Sequence, residues 1–173
     1  MIFRRNFLEI KSKAKRILGI DPGTGILGFG VIDVSPTGNL SLVDAGVIRT
    51  PVNQADSDRL FTIFNELSEI VAELKPSVMS VEKLFFAQNV TTAMSVSQAR
   101  GVVLLLGKQA NLDLFEYTPL QIKQALTSYG RATKQQIQEM VRIILGLSEQ
   151  PKPDDCADAL AAAIYHSSVI HLG

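Results

Sequence analysis

Two short apolar runs, each closed by an acid, constrain the fold of this chain more than any other feature. Ile17-Leu18-Gly19-Ile20 ends in Asp21, and Val78-Met79-Ser80-Val81 ends in Glu82. Runs of this length and composition read as buried strands. Between them, Phe29–Val34 and Leu40–Arg49 flank the turn Ser35-Pro36-Thr37-Gly38-Asn39. Together with Ile17–Asp21 they predict an antiparallel meander. Leu60, Ile63, Leu67, Ile70 and Leu74 then recur at helical spacing, with Glu66, Glu69 and Glu73 on the wet side and Pro76 as the stop.

After the strand Val78–Glu82, residues 89–110 predict a second helix and Leu112–Tyr117 a fifth strand. Two capping boxes come next: Thr118 with Gln121, with Pro119 at the first helical position, and Thr133 with Gln136, in a helix ended by Gly146. Gln150-Pro151-Lys152-Pro153 leads into a last helix, Ala157 to Ile170. The order predicts an α/β domain with a mixed five-stranded sheet in the order 3-2-1-4-5, strand 2 antiparallel, flanked by helices.

In that order strands 1 and 4 are parallel neighbours, roughly 4.8 Å apart. Asp21 and Glu82 therefore end side by side. Asp155 and Asp158, at i and i+3, share one face of the last helix. If that helix packs beside strand 1, four carboxylates converge. Two bare carboxylates about 5 Å apart repel by roughly 3 kcal/mol at an effective dielectric near 20. Such a set calls for cations, and hard oxygen ligands favour Mg²⁺ or Mn²⁺. Taken singly the acids have blander readings: Asp154 as an N-cap, Asp155 at the positive end of the helix dipole, Asp21 as a turn residue before Pro22.

Composition sets the class. The 173 residues suffice for one domain with a real core. No segment has the roughly 18 to 20 continuous apolar residues that span a bilayer, so no membrane role is expected. Cys156 is the only cysteine, which fits a reducing compartment. Of 17 basic and 17 acidic residues, the first 16 positions hold six and one, leaving 11 and 16 for the remainder. Residues 1–16 are expected to be a flexible basic extension, with a DNA-contacting arm and a transit peptide as lesser alternatives. Residues 17–173 form the single domain. Any binding of nucleic acid would depend on a local basic patch and on metal ions, not on overall charge.

Other motifs have two readings each. Gly23-Thr24-Gly25-Ile26-Leu27-Gly28 matches G-x-G-x-x-G, but the residues after Gly28 read as strand rather than the helix a dinucleotide site requires. The glycines better suit a tight connection that keeps bulk away from Asp21. Lys83, Phe85 and Phe86 come after Glu82, where exposed aromatics beside a base would suit stacking on unpaired bases. Lys123, Arg131 and Lys134 lie in the two capped helices and their connection. Ile122, Ala125, Leu126 and Tyr129 are the expected apolar face there, with Lys123 at its border. Arg100 interrupts a largely apolar helix and needs a carboxylate or a phosphate. The stretch Val102 to Leu106 is apolar all round, as on a helix that also faces a partner subunit. His166 and His171 read as incidental.

Four blocks in order resemble the RuvC Holliday junction resolvases: Ile17-Leu18-Gly19-Ile20-Asp21-Pro22-Gly23, Val81-Glu82-Lys83-Leu84-Phe85, Gln98-Ala99-Arg100-Gly101 and Asp155-Cys156-Ala157-Asp158-Ala159-Leu160. The resemblance runs from about Ile17 to Ser168. It implies an RNase H-like fold and a homodimer that cuts four-way DNA junctions in the bacterial cytoplasm, working with a RuvA–RuvB branch-migration complex. It makes Asp21, Glu82, Asp155 and Asp158 an acidic tetrad for two Mg²⁺ ions, about 3.5–4 Å apart in such sites. Phe85 matches an aromatic that contacts bases, and Lys123 and Lys134 match lysines for DNA engagement. Arg100, Arg131 and Lys83 complete the expected DNA contacts. The rival readings are a non-catalytic junction-binding protein and an RNase H-like nuclease acting on RNA–DNA hybrids.

Overall fold

Hydrophobic alternation along the strands gives the domain two cores, one on each face of a single sheet. A computed structural model describes residues 15–84 and 90–171. Its strands are β1 (Lys15–Asp21), β2 (Ile26–Val34), β3 (Leu40–Arg49), β4 (Val78–Glu82) and β5 (Asp113–Tyr117). Its helices are α1 (Asp56–Leu74), α2 (Val90–Gln109), α3 (Pro119–Thr127), α4 (Lys134–Leu145) and α5 (Asp154–His171). The sheet runs β3-β2-β1-β4-β5, as expected, with β2 antiparallel to both neighbours and β1, β4 and β5 parallel.

Leu18 and Ile20 of β1, Leu27 and Val31 of β2, and Met79 and Val81 of β4 point to one face, where they meet Ile63 and Leu67 of α1 and Val103 and Leu106 of α2. The alternate residues point to the other face. There Ile17, Ile32 and Val78 join Leu160 and Ile164 of α5, with Ile122 of α3 and Ile137 and Val141 of α4. Both capping boxes form as expected: the Thr118 and Thr133 hydroxyls accept from the N–H groups of Gln121 and Gln136.

Several boundaries differ from the sequence reading, for local reasons. β1 starts at Lys15 because Arg16 is held in place. Its guanidinium donates to both oxygens of Asp33, each at 2.8 Å, and to the Leu74 carbonyl at 2.7 Å. Lys15 and Arg16 therefore belong to the domain; residues 1–14 lie outside the described residues. β2 starts at Ile26 rather than Phe29, so Gly28 and Gly30 are strand residues paired with Asp21 and Gly19. That removes the dinucleotide reading, since no helix begins at Gly28. On α3 only Ile122 and Leu126 are buried; Ala125 and Tyr129 are exposed, because nothing covers that flank of a helix this short. No helix among the described residues is long and apolar enough to cross a membrane.

Candidate active site

The same parity that splits the core aims the strand acids. On β1, Ile17, Gly19 and Asp21 share a face; on β4, Val78, Ser80 and Glu82 do. Both strands thus read large, small, acid toward α5. The last β1–β4 register pair is Ile20 with Val81, so Asp21 and Glu82 stand one step beyond it, side by side.

α5 lies against this face with almost nothing in between. A Cβ on Gly19 would lie 2.0 Å from the Ala159 carbonyl oxygen and 2.8 Å from the Ala163 nitrogen. A Cβ on Gly28 would lie 2.0 Å from the carbonyl oxygen of Asp155. The helix answers with small residues: Ala157, Ala159, Ala161, Ala162 and Ala163 are all buried. The buried Ser80 hydroxyl donates to the Ala162 carbonyl at 2.8 Å, tying α5 to β4 as well. Backbone-to-backbone packing therefore brings the start of α5 to the ends of β1 and β4. Of the Gly23–Gly28 motif, Gly28 makes room for the helix, while Gly23 fits the expected tight connection, since a Cβ there would lie 2.0 Å from the Ile26 carbonyl oxygen.

Asp21, Glu82 and Asp158 line a cavity of about 270 Å³, together with Lys123 and Ile122 of α3, Lys134 and Ile137 of α4, and Pro119. Asp155 does not line the cavity but is near enough to raise the proton affinity of Asp21. Burial, then the charges of Glu82, Asp158 and Asp155, push the Asp21 carboxyl up to about 8. Burial and then Asp158 push Glu82 up to about 7. Asp158 is raised too, chiefly by burial. Lys123 and Lys134 work in the opposite direction on both Glu82 and Asp158.

These carboxylates are gathered but not closed on a single point: among the described residues, no three Asp, Glu, His or Cys side chains form a ready-made ligand set. The donors still fit hard divalent cations. They are oxygen-only and half-buried, and burial with neighbouring negative charge pushes Asp21 and Glu82 up to about 8 and about 7.

The remaining expected contacts divide. Lys123 and Lys134 are at the cavity. Lys83 and Arg131 are exposed and do not line it. Arg100 is ion-paired with Glu116 of β5, so its partner here is a structural carboxylate rather than a phosphate. Phe85 and Phe86 lie outside the described residues. Asp154 is the first residue of α5 rather than only a cap before it, and its carboxylate pairs with Lys134. His166 is not incidental: it is buried, its Nδ1 is 2.8 Å from the Tyr117 hydroxyl, and its ring lies 4.3 Å from that of Phe115. The His171 side chain lies outside the described residues. Ser80 and the pairing of Asp154 with Lys134 escaped sequence reasoning. Ser80 had a signal, as a small residue two positions before an acid, just like Gly19. Asp154 had none, since its partner is 20 residues away on another helix.

Comparison with known proteins agrees with this geometry. Residues 17–166 match the family model described as crossover junction endodeoxyribonuclease RuvC. A protein of that name from Heliobacterium modesticaldum is 56% identical over 149 residues, covering 86% of this chain and 91% of its own. One from Desulfitobacterium hafniense is 54% identical over 157 residues, covering 90% and 94%. Among solved structures, Thermus thermophilus RuvC superposes with a TM-score of 0.84 at 36% identity, covering 91% of this chain and 96% of its own. The same protein in complex with a Holliday junction substrate gives 0.83 at 34% identity over the same shares of the two chains.

Proposed function

The chain belongs to the RuvC family of crossover junction endodeoxyribonucleases, and from that premise we propose that it resolves four-way DNA junctions by divalent-metal-dependent nicking at the Asp21–Glu82–Asp158 cavity. The observation that carries the reading is the convergence of strand-end and helix-start acids on one cavity that also holds two lysines. The sheet order is that of an RNase H-like nuclease domain. A protein that only bound junctions would have no use for clustered acids where phosphates must approach.

Asp21, Glu82, Asp158 and Asp155 are the residues to hold the ions, with two Mg²⁺ as the expected complement and Mn²⁺ as a substitute. When bound, such ions activate water and neutralise charge on the phosphate. The chain's own contribution is placement and charge balance. The acids fix one wall of the cavity, and Lys123 of α3 and Lys134 of α4 offer cations to the phosphodiester from the helical side. Asp21 and Glu82 are pushed up to about 8 and about 7, so ion binding competes with protons there and tightens as pH rises. Cleavage that leaves a 5′-phosphate and a 3′-hydroxyl requires no covalent link to the protein. Lys83, Arg131 and Phe85 are proposed to contact DNA farther from the cut.

The test uses a synthetic four-way junction, the matching duplex and an RNA–DNA hybrid, each incubated with Mg²⁺ and with a chelator. Paired nicks at symmetric positions of two like-polarity strands, on the junction alone and only with metal, are expected. Junction binding without cutting, or cutting of the hybrid, would overturn the reading.

Two symmetric nicks call for two sites, hence a homodimer. Its support is a stripe on α2 at heptad spacing: Met94, Gln98, Gly101, Leu105 and Lys108 are all exposed, Met94 by 65% and Leu105 by 66%. Of the apolar stretch Val102 to Leu106, Val103 and Leu106 face the core and Leu105 faces out. Leu105→Lys is expected to yield a folded monomer by light scattering that has lost paired nicking; an unchanged dimer would place the interface elsewhere. The proposed setting is the bacterial cytoplasm, alongside a RuvA–RuvB branch-migration complex.

A further inference from the structure

Lys134 is the first residue of α4 and Asp154 the first residue of α5, and their side chains meet in an ion pair. Lys134 lines the acid cavity; Asp154 does not. We propose that Asp154 is a positioning residue for junction cleavage, anchoring the Lys134 ammonium over the cavity where the phosphate must bind. This rests on the nuclease reading above.

Two influences can hold Lys134 in place, and they differ in when they act. Its side chain is 65% exposed on a flexible four-carbon stem, so an unanchored ammonium would sample many rotamers. Bare carboxylates in the cavity attract it, as the mutual influence of Lys134 with Asp155 and Asp158 shows. That attraction fades once cations neutralise those carboxylates. Asp154 stands outside the set, so its hold persists when the cavity is loaded. Lys123 lines the same cavity but makes no ion pair among the described residues, which makes it an internal reference.

The pair contributes little to folding. An exposed ion pair adds about 0–1 kcal/mol, so a structural role predicts almost no effect on removal, whereas a positioning role predicts a kinetic one. Asp154→Asn keeps the size and hydrogen-bonding capacity of the helix start while removing the charge; Asp154→Ser is a second such variant should the first misfold. Single-turnover junction cleavage is expected to fall roughly tenfold in Asp154→Asn, with junction affinity and melting temperature nearly unchanged. Asp154→Glu should recover most of the rate. In a Lys134→Ala background, Asp154→Asn should cost nothing further, since the group it positions is gone.

A second readout needs no cleavage. Amine acylation of the protein with Mg²⁺ but without DNA, followed by mass spectrometry, is expected to modify Lys134 severalfold faster in Asp154→Asn than in the wild type, with Lys123 unchanged. Unchanged labelling of Lys134, or losses that add in the double variant, would overturn the proposal. A wild-type protein that fails to cut the junction would instead overturn the nuclease reading, and the labelling would still decide whether Asp154 anchors Lys134.

Discussion

Asp21→Asn is expected to abolish junction cleavage while making the metal-free protein more stable at pH 8. The loss follows from removing a carboxylate from the cavity wall proposed to hold the ions; junction binding, proposed to use the lysines, should largely survive. The gain follows from the raised carboxyl. Asp21 titrates at about 8 in the folded protein against an ordinary value of 3.8. Between those values the folded state binds more protons than the unfolded state, so stability falls as pH rises through that window. Asparagine carries no such penalty. Its advantage should be absent below about pH 4, grow as pH rises, and level off above about pH 8. A few kcal/mol is expected, because each tenfold change in proton affinity corresponds to about 1.4 kcal/mol and the neighbouring acids share the repulsion.

Thermal melts of wild type and variant from pH 4 to pH 9 check this, with a rise of about 5–10 °C expected at the upper end. Adding Mg²⁺ should close the gap, since an ion that binds the folded wild type more tightly stabilises it more. Equal melting temperatures at every pH would show that Asp21 is not strained by its surroundings.

Gly19→Ala and Gly28→Ala should be among the most damaging single-methyl additions in the chain. Neither glycine has a left-handed backbone; each is required by space alone. The added carbon would meet main-chain atoms of α5 at 2.0 Å in both cases. Side chains can rotate away from such a clash, but a helix backbone can only be displaced as a body. Overpacking in cores costs about 1–3 kcal/mol when relaxation is possible, so about 4 kcal/mol or more is expected here. Denaturant unfolding measures the loss. For Gly28→Ala, which presses directly on the peptide of Asp155, cleavage should fail even in the fraction that remains folded. A loss below about 1 kcal/mol for either variant would mean that α5 can lift off the sheet freely.

Much of this was legible in the sequence because the signals were local. Apolar runs with acids at their ends gave β1 and β4, capping boxes gave α3 and α4, and the strand order followed from connection rules. The convergence of Asp21 with Glu82 needed only register. The features that escaped reading were long-range or depended on space. Gly30 was read inside a strand without its reason, which it shares with Gly28: a helix is pressed onto both. Arg100 advertised a need for a partner but not which one, and Glu116 lies on a different element, β5. His166 looked like a tail residue because the depth of α5 cannot be judged from a helix that is apolar nearly all round. The cavity-lining lysines were placed by resemblance, and the geometry now gives them neighbours: Glu82 and Asp158 for both, and Asp154 for Lys134.

The bare seam between α5 and the sheet also fixes what can be altered in this site. Where side chains interdigitate, a spacing can be widened or narrowed by degrees, one methylene at a time. Here the separation between strand acids and helix acids is the thickness of two peptide backbones, the smallest step available, and substitution offers no finer adjustment. The spacing of the proposed catalytic acids is therefore a constant of the scaffold. Differences in which sequence is cut, or in how readily, are expected in α3 and α4, which line the cavity without setting that spacing.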